Sequence, residues 1–433
     1  MNTRFAPLQK LRGRLRPPGD KSISHRAALV GAMASTPVRI RNYLDAADTG
    51  ATLAAVRQLG AIVQWREAEL VIRGGGLRNV QAPAGTIDVG NAGTLMRLLP
   101  GWLSFQQGCT FTLDGDESIR RRPIDRIATP LALMGASIEA REGRYPPFTI
   151  HGGGLRGIEY QLPVASAQVK SCVLLAGLTT ESTTVIEPVP TRDHTERLLA
   201  RAGAPIRRGG LDGAPRTTVG NAEELDLEPV DVPADLSSAA FLIAAGVLVP
   251  GSRLLLEGVG VNWTRAGFLR ILERMGAIVL VDSEPQGSFA AQEPIAEIDV
   301  SHCALQGTEV GPDEVPLAID ELPLVALLGC FAEGETIVRG AQELRLKESD
   351  RIAAVAGGLR ALGGDIEDTP DGFVVRGTGG LAGGRLDARG DHRLALLGAV
   401  AGVASRDGVE VVGWEAVSIS YPSFAEDLRR LAA

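Results

Sequence analysis

Five times along the chain a helical stretch runs into a glycine and then directly into a strand: RQLGAIV at Gly60, ALMGASI at Gly135, ARAGAPI at Gly203, ERMGAIV at Gly276 and RALGGDI at Gly363. A helix that must reverse into a strand within a residue or two closes best in the left-handed backbone conformation, which glycine adopts without steric cost. Several copies pass through another glycine turn into a second strand. In IVQWREAELVIRGGG and DIEDTPDGFVVRGTGG the polarity alternates as in a hairpin with one exposed face. The repeating unit is therefore strand, helix, hairpin. Its spacing is longer than that of common solenoids and suits a globular lobe built from a few units.

A chain of 433 residues, 45% of them hydrophobic, exceeds what one core organises, so two domains are expected. Aromatic residues make up only 4% while glycine reaches 53, which points to Ala/Val/Leu/Ile packing and many tight turns in a repetitive α/β architecture. The last helix, SFAEDLRRLAA, stops where a sixth glycine turn should stand. The N-terminal segment up to about Pro18 is expected to supply the missing strand, bringing both chain ends into one lobe. The acidic, proline-containing stretch DLEPVDVPAD, around Glu228 to Asp235, marks the return crossing. The expected division is lobe one from residues 1–19 plus 234–433 and lobe two from 20–233.

The formal net charge of -8 excludes a general polyanion binder, so any anion site must be local. Cys109, Cys172, Cys303 and Cys330 lie far apart with no CxxC pair and read as reduced, mostly buried thiols. The opening MNTRFAPLQKLRGRLR lacks the apolar stretch of a secretory signal, and no apolar run is long enough to span a bilayer. A soluble, cytoplasmic protein is expected.

Chemistry concentrates at helix starts. In RPPGDKSISHRAALVGAMA, Ser22 or Ser24 is a candidate cap, and Lys21 and Arg26 stand where free amides and the helix dipole already favour an anion. In VGNAGTLMRLLPGWL, the small residues Asn91, Ala92, Gly93 and Thr94 precede a helix carrying Arg97 one turn in, and Gly93 lets a ligand approach the backbone. Arg120, Arg121 and Arg122 precede a proline and a new helix; at least one is well placed to grip a carboxylate with two hydrogen bonds. SAQVKSCVLLAGL sets Ser166, Ala167 and Gln168 at another helix start, and TRDHTERLL repeats the arrangement with Arg192. Asp235 in DLSSAAFLIAAG is a strong cap, is expected to have no basic partner and reads as structural. Single cations at helix starts thus concentrate positive potential in an acidic protein.

The second half supplies titrating groups. Asp320 and Glu321 in VPLAIDELPLVALLG sit against an apolar segment, so one is expected to be poorly solvated and suited to accept a proton, and Asp320 also reads as an N-cap. In LRLKESDRIAAVAGGLRALGG, Lys347 and Arg351 share a helix face at i, i+4 beside Glu348. Asp391, His392 and Arg393 open an otherwise apolar, hence buried, helix. On residues alone, the Lys347, Glu348 and Arg351 stretch also reads as a solvated charged first turn, whereas the polar end at Asp391 must face something polar.

In this order, PGDKSISHR, GNAGTLMR, RRRPIDR, SAQVKSCVLLAGL, TRDHTE, DELP, LRLKESDRI, GDHR and SYPSF closely resemble the 5-enolpyruvylshikimate-3-phosphate synthase family, over essentially the whole chain. The resemblance implies an α/β fold of two similar lobes, each of three βαβαββ units in an inside-out, barrel-like arrangement, with an interlobe cleft. It implies transfer of the enolpyruvyl group of phosphoenolpyruvate to the 5-hydroxyl of shikimate 3-phosphate, with release of phosphate, in the shikimate pathway to chorismate. By the likeness, Lys21, Ser22, Arg26, Ser166, Ala167, Gln168, Arg192, Asp320 and Lys347 hold shikimate 3-phosphate. Lys21, Asn91, Gly93, Arg122, Gln168, Arg351, His392 and Arg393 hold phosphoenolpyruvate. Asp320 is the expected base, Glu348 or Lys347 the proton carrier at C3, and Lys21 a further catalytic cation. No metal or organic cofactor is expected, and the partners are the two small substrates, with no nucleic acid or membrane and the chain acting as a monomer.

Two positions depart from the family pattern. Ile419 stands where many members carry a lysine, and Glu343 where many carry an asparagine. The sister transferases acting on UDP-N-acetylglucosamine share fold and reaction, but a lysine-asparagine pair is expected there in place of Lys21-Ser22, and a cysteine in the loop that here reads Arg120 to Pro123. A noncatalytic anion-binding relative would have no use for Asp320, Glu348, Lys347 and Arg393 together.

Overall fold

The computed structural model describes residues 1–211 and 214–433. The chain forms two compact units: the first contains Met1–Asp20, Pro233–Ser288 and Pro294–Ala433, the second Lys21–Val232 and Phe289–Glu293. All five repeated glycines close a helix in the left-handed region, with φ from +78° at Gly276 to +103° at Gly135.

The second unit holds three four-stranded sheets of one design. Their strand orders are Val230–Asp231, Val38–Arg41, Glu69–Arg73, Ile62–Arg66; then Ile87–Asp88, Thr110–Asp114, Tyr145–His151, Ser137–Arg141; then Glu159–Gln161, Thr183–Ile186, Ala214–Val219, Ile206–Leu211. The first pair in each is parallel and the other two antiparallel. A parallel pair needs a crossover, which in the second and third sheets is a buried helix, and the antiparallel pair Ile62–Arg66 with Glu69–Arg73 is the hairpin read from the sequence, although its turn is made by Glu67 at φ +54° rather than by a glycine. The lead strand of the first sheet, Val230–Asp231, comes from the far end of the unit, so its sequence neighbours do not reveal it.

The first unit repeats the design in two four-stranded sheets: Ile278–Leu280, Ile295–Ser301, Arg253–Gly260, Arg12–Leu15, and Glu309–Val310, Glu335–Val338, Gly372–Arg376, Asp365–Thr369. Its third sheet has three strands, Asn2–Phe5, Val409–Val412 and Gly384–Asp387. The N-terminal strand fills the vacancy after the final helix, Phe424–Ala432, pairing antiparallel with Asn2 opposite Val412 and Phe5 opposite Val409. The N-terminal segment in fact supplies two strands, because Arg12–Leu15 pairs in parallel with Arg253–Leu256 in another sheet.

Each unit is built around three buried helices: Leu236–Leu248, Leu322–Phe331 and His392–Ala404 in the first, Lys21–Met33, Gly93–Leu103 and Ala167–Gly177 in the second. Most are apolar on all sides, so only full burial satisfies them. A Cβ on Gly101 would lie 2.3 Å from the Cys172 carbonyl oxygen, so the two helices that carry these residues approach as closely as backbone allows. Cys172 and Cys330 are buried, and burial pushes the Cys330 thiol up to about 12. Among the described residues, no helix is long and apolar enough to cross a membrane.

Candidate active-site residues

In the second unit, the helix Lys21–Met33 begins at Lys21 itself. Neither serine of the motif acts as its cap: Ser24 Oγ, fully buried, instead accepts from Leu44 N at 3.0 Å. Lys21 Nζ bonds Asp48 Oδ2 at 2.9 Å, a partner with no signal in the local sequence. Arg26 is buried and turned into the fold, donating to Thr195 Oγ1 at 2.7 Å, Ser171 Oγ at 3.0 Å and the Ser22 carbonyl at 3.0 Å. Half-buried Ser22 and Arg192 complete this stretch of candidates.

A second group assembles where the helices Gly93–Leu103 and Ala167–Gly177 begin. Arg97 Nη1 donates to Gln168 Oε1 at 3.2 Å, and Gln168 Nε2 donates to Thr94 Oγ1 at 3.2 Å. Ser166 caps its helix, its hydroxyl accepting from Val169 N at 3.4 Å, with Ala167 opening the first turn. The three arginines separate by partner. Arg120 pairs with Asp114 at 2.6 Å, and Arg121 donates to the Glu117 carbonyl at the surface. Arg122 is buried, bonded to Ser118 Oγ, and its Nη1 would lie 2.9 Å from a Cβ on Gly93. Asn91 donates to Asp116 Oδ2 at 2.6 Å. Thus Gly93, Thr94, Arg97, Arg122 and Gln168 form one cluster, in which Arg97 is a cation that the sequence reading noticed without assigning a role.

In the first unit, the region around Asp320 differs from the sequence reading in two ways. The helix Leu322–Phe331 begins behind Glu321, so Asp320 is not its cap. Lys347 and Arg351 do not share a helix face: Lys347 follows the 3-10 turn Gln342–Leu346 in extended backbone. The next helix opens at Arg351 behind Asp350, which accepts from Ala353 N. A strong aspartate cap decides that start over the helical propensity of the preceding KES. Lys347 and Glu348 therefore lie on a connecting turn, where both are half-buried.

Arg351 is the hub. Its guanidinium meets Asp391 Oδ2 at 2.8 Å, Glu348 Oε2 at 2.5 Å and Asp320 Oδ1 at 3.3 Å. Burial by itself would lower the arginine's pKa, but Asp391 and Glu348 outweigh it and hold the charge firmly on, above the usual value. Arg393 donates to the Asp320 carbonyl at 3.1 Å and lies 3.4 Å from its carboxylate. Asp391, His392 and Arg393 open a buried helix as expected, and Asp391 caps it, accepting from Arg393 N at 2.9 Å, with buried His392 beside it. Behind this shelf, Ser237 Oγ donates to Glu321 Oε1, and Arg265 donates to Ser237 Oγ and Asp235 Oδ1, both at 2.8 Å. Asp235 is a cap as read, but it has a basic partner 30 residues away. Among the described residues, no group of three or more His, Cys, Asp or Glu is arranged to hold a metal ion.

The sequence matches the family described as EPSP synthase (3-phosphoshikimate 1-carboxyvinyltransferase) over residues 5–428. It is 46% identical over 420 residues to a 3-phosphoshikimate 1-carboxyvinyltransferase of Acidithiobacillus ferrooxidans, covering 96% of this chain and 95% of the relative. It is 45% identical over 433 residues to the protein of that name from Thermus thermophilus, covering 99% of each. Among solved structures, EPSP synthase from Acinetobacter baumannii superposes with a TM-score of 0.85 at 40% identity, over 99% of this chain and 98% of that one. The enolpyruvyl transferase NikO from Streptomyces tendae shares the fold, with a TM-score of 0.79 at 21% identity over 99% of this chain and 97% of that one. The family match over residues 5–428, the near-complete coverage of the relatives and the structural superposition agree, and the chain belongs to the EPSP synthase family.

Proposed function

We propose a residue-level division of labour for this transferase of aromatic amino acid biosynthesis, which moves the enolpyruvyl group of phosphoenolpyruvate to shikimate 3-phosphate. Lys21, Ser22, Ser166, Ala167, Gln168, Arg192 and Lys347 hold shikimate 3-phosphate, with Arg26 ordering Ser22 through its carbonyl. Lys21, Asn91, Gly93, Arg122, Gln168, Arg351, His392 and Arg393 serve phosphoenolpyruvate, and Arg97 joins them through its bond to Gln168.

Asp320 takes the proton of the substrate 5-hydroxyl as that oxygen bonds to C2 of phosphoenolpyruvate, while C3 gains a proton from Lys347 or Glu348. C3 then returns a proton, the C2–O bond to phosphate breaks, and inorganic phosphate leaves. Arginines fixed in place beforehand stabilise the charge that develops, without reorganisation during the reaction. The observation that carries the reading is Asp320 itself: a carboxylate 13% exposed, with Arg351 and Arg393 both within 3.4 Å of it. The protein is further proposed to act as a cytoplasmic monomer.

The test is phosphate release from the two substrates by Asp320→Asn. The expected loss is roughly 10²- to 10⁴-fold in kcat, the range of a lost general base, with shikimate 3-phosphate still binding. Full turnover in that variant would remove Asp320 from the mechanism.

A further inference from the structure

The first turn of the helix Ala167–Gly177 carries a lysine that the assignments above leave unused. Lys170 is fully buried, and its ammonium donates to Glu187 Oε2 at 2.8 Å and to the Thr191 carbonyl at 3.2 Å. It also forms an ion pair with Glu196 at 2.8 Å. The Thr191 hydroxyl donates to the other Glu187 oxygen. One cation thus faces two carboxylates, all of them between 0% and 3% exposed. Burial raises the Glu187 pKa, with Lys170 opposing it, and the two glutamates together hold the lysine charged.

Such a cluster is a poor way to stabilise a core. Desolvating three charges is costly, and apolar side chains of the same volume commonly serve as well or better. Its geometry has a clearer use. The loop Glu187-Pro188-Val189-Pro190-Thr191 contains two residues without an amide hydrogen, so it has few backbone donors with which to fix itself. Lys170 grips its last carbonyl, and the next residue is Arg192. On the other side of Arg192, buried Asp193 is held by Arg197 at 2.9 Å and Arg208 at 3.2 Å. Arg192 is therefore bracketed by two charged anchors. The same helical turn also presents Gln168 to Arg97 and Ser171 to Arg26.

We infer that Lys170 is a positioning residue for substrate binding: by holding the Thr191 carbonyl, it sets where Arg192 meets shikimate 3-phosphate. The inference rests on the proposed role of Arg192.

The test is a triple variant, Lys170→Met, Glu187→Gln and Glu196→Gln, which keeps side-chain volume and removes every charge of the cluster. The expected result is a KM for shikimate 3-phosphate raised roughly tenfold, the scale of a small misplacement of a binding group, with kcat and the KM for phosphoenolpyruvate unchanged. In an Arg192→Ala background the triple change should add nothing further, since coupled residues are non-additive. A purely structural role would alter both KM values together, and that result, or an unchanged KM for shikimate 3-phosphate, overturns the inference. If the triple variant does not fold, Glu196→Gln alone is expected to move the same KM in the same direction, and no movement is an equally clear refutation. Arg192→Ala by itself separates the two readings. If it leaves the KM for shikimate 3-phosphate unchanged, the role of Arg192 fails; if it raises that KM and the cluster variant does not, only the role of Lys170 fails.

Discussion

Gly93 and Arg122 are in contact through the absence of a side chain: a Cβ on Gly93 would stand 2.9 Å from Arg122 Nη1 and 3.1 Å from Arg97 Nη1. Both obstacles are the ends of flexible side chains, so Gly93→Ala folds and the two guanidiniums move instead. The expected outcome is a kcat/KM for phosphoenolpyruvate lowered about tenfold, ~1.4 kcal/mol, with the KM for shikimate 3-phosphate little changed. Glyphosate is expected to compete with phosphoenolpyruvate in the parent chain and to bind more weakly in this variant. Initial-rate kinetics with both substrates varied decide the matter, and noncompetitive inhibition of the parent would refute it.

Arg265 is buried with Asp235 at 2.8 Å and Asp20 at 3.5 Å. Burial and Asp20 raise the Asp235 pKa while Arg265 opposes them. Arg265→Met removes the cation from between two buried carboxylates, and a loss of about 3–5 kcal/mol is expected, as for other broken buried pairs. Denaturant midpoints measure it. Adding Asp235→Asn should recover part of the loss, because it removes one of the charges left alone.

Two glycines test two different reasons for being glycine. Gly203 has φ of +80° with nothing within 4 Å of a Cβ, so Gly203→Ala should cost only the left-handed backbone penalty, about 1–2 kcal/mol. Gly101 lies in a helix, but its Cβ would meet the Cys172 carbonyl oxygen at 2.3 Å. Gly101→Ala must push two buried helices apart and should be the more damaging change. Equal denaturation midpoints for the two variants would contradict this account.

The Asp114–Arg120 pair predicts a pH effect. The hydrogen bond from Arg120 holds the Asp114 carboxyl below its usual value. An unfolded aspartate titrates near ~3.9. As the pH falls below that point, the unfolded chain takes up a proton before the folded one does, so this contribution to stability is lost towards the lower folded pKa. Asp114→Asn should be less stable than the parent at neutral pH and should lose less stability across that acidic window. Parallel urea titrations at neutral and acidic pH check the difference.

The helix-closing glycines, the buried helix behind Asp391 and the need for a strand after the last helix were legible because each is a local rule. A left-handed residue, a cap and an all-apolar helix each state their requirement within a few neighbouring positions. Helix starts were less secure. Asp350, rather than the KES stretch, begins its helix, and Ser24 serves the Leu44 amide instead of capping its own. At Asp350 the stronger local cap decided the start, whereas at Ser24 a bond to a residue 20 positions away did.

By itself, the sequence determined the repeated α/β unit, the family and the cations set at helix starts, since periodicity, turn chemistry and motif order are properties of the chain. Only the tertiary structure decided which partner each charge has. Asp48 beside Lys21, Arg265 beside Asp235 and Glu187 beside Lys170 lie between 17 and 30 positions apart. The physical reason is that a buried charge must find compensation wherever the fold brings an opposite charge close, and that distance in space leaves no mark on the spacing along the chain.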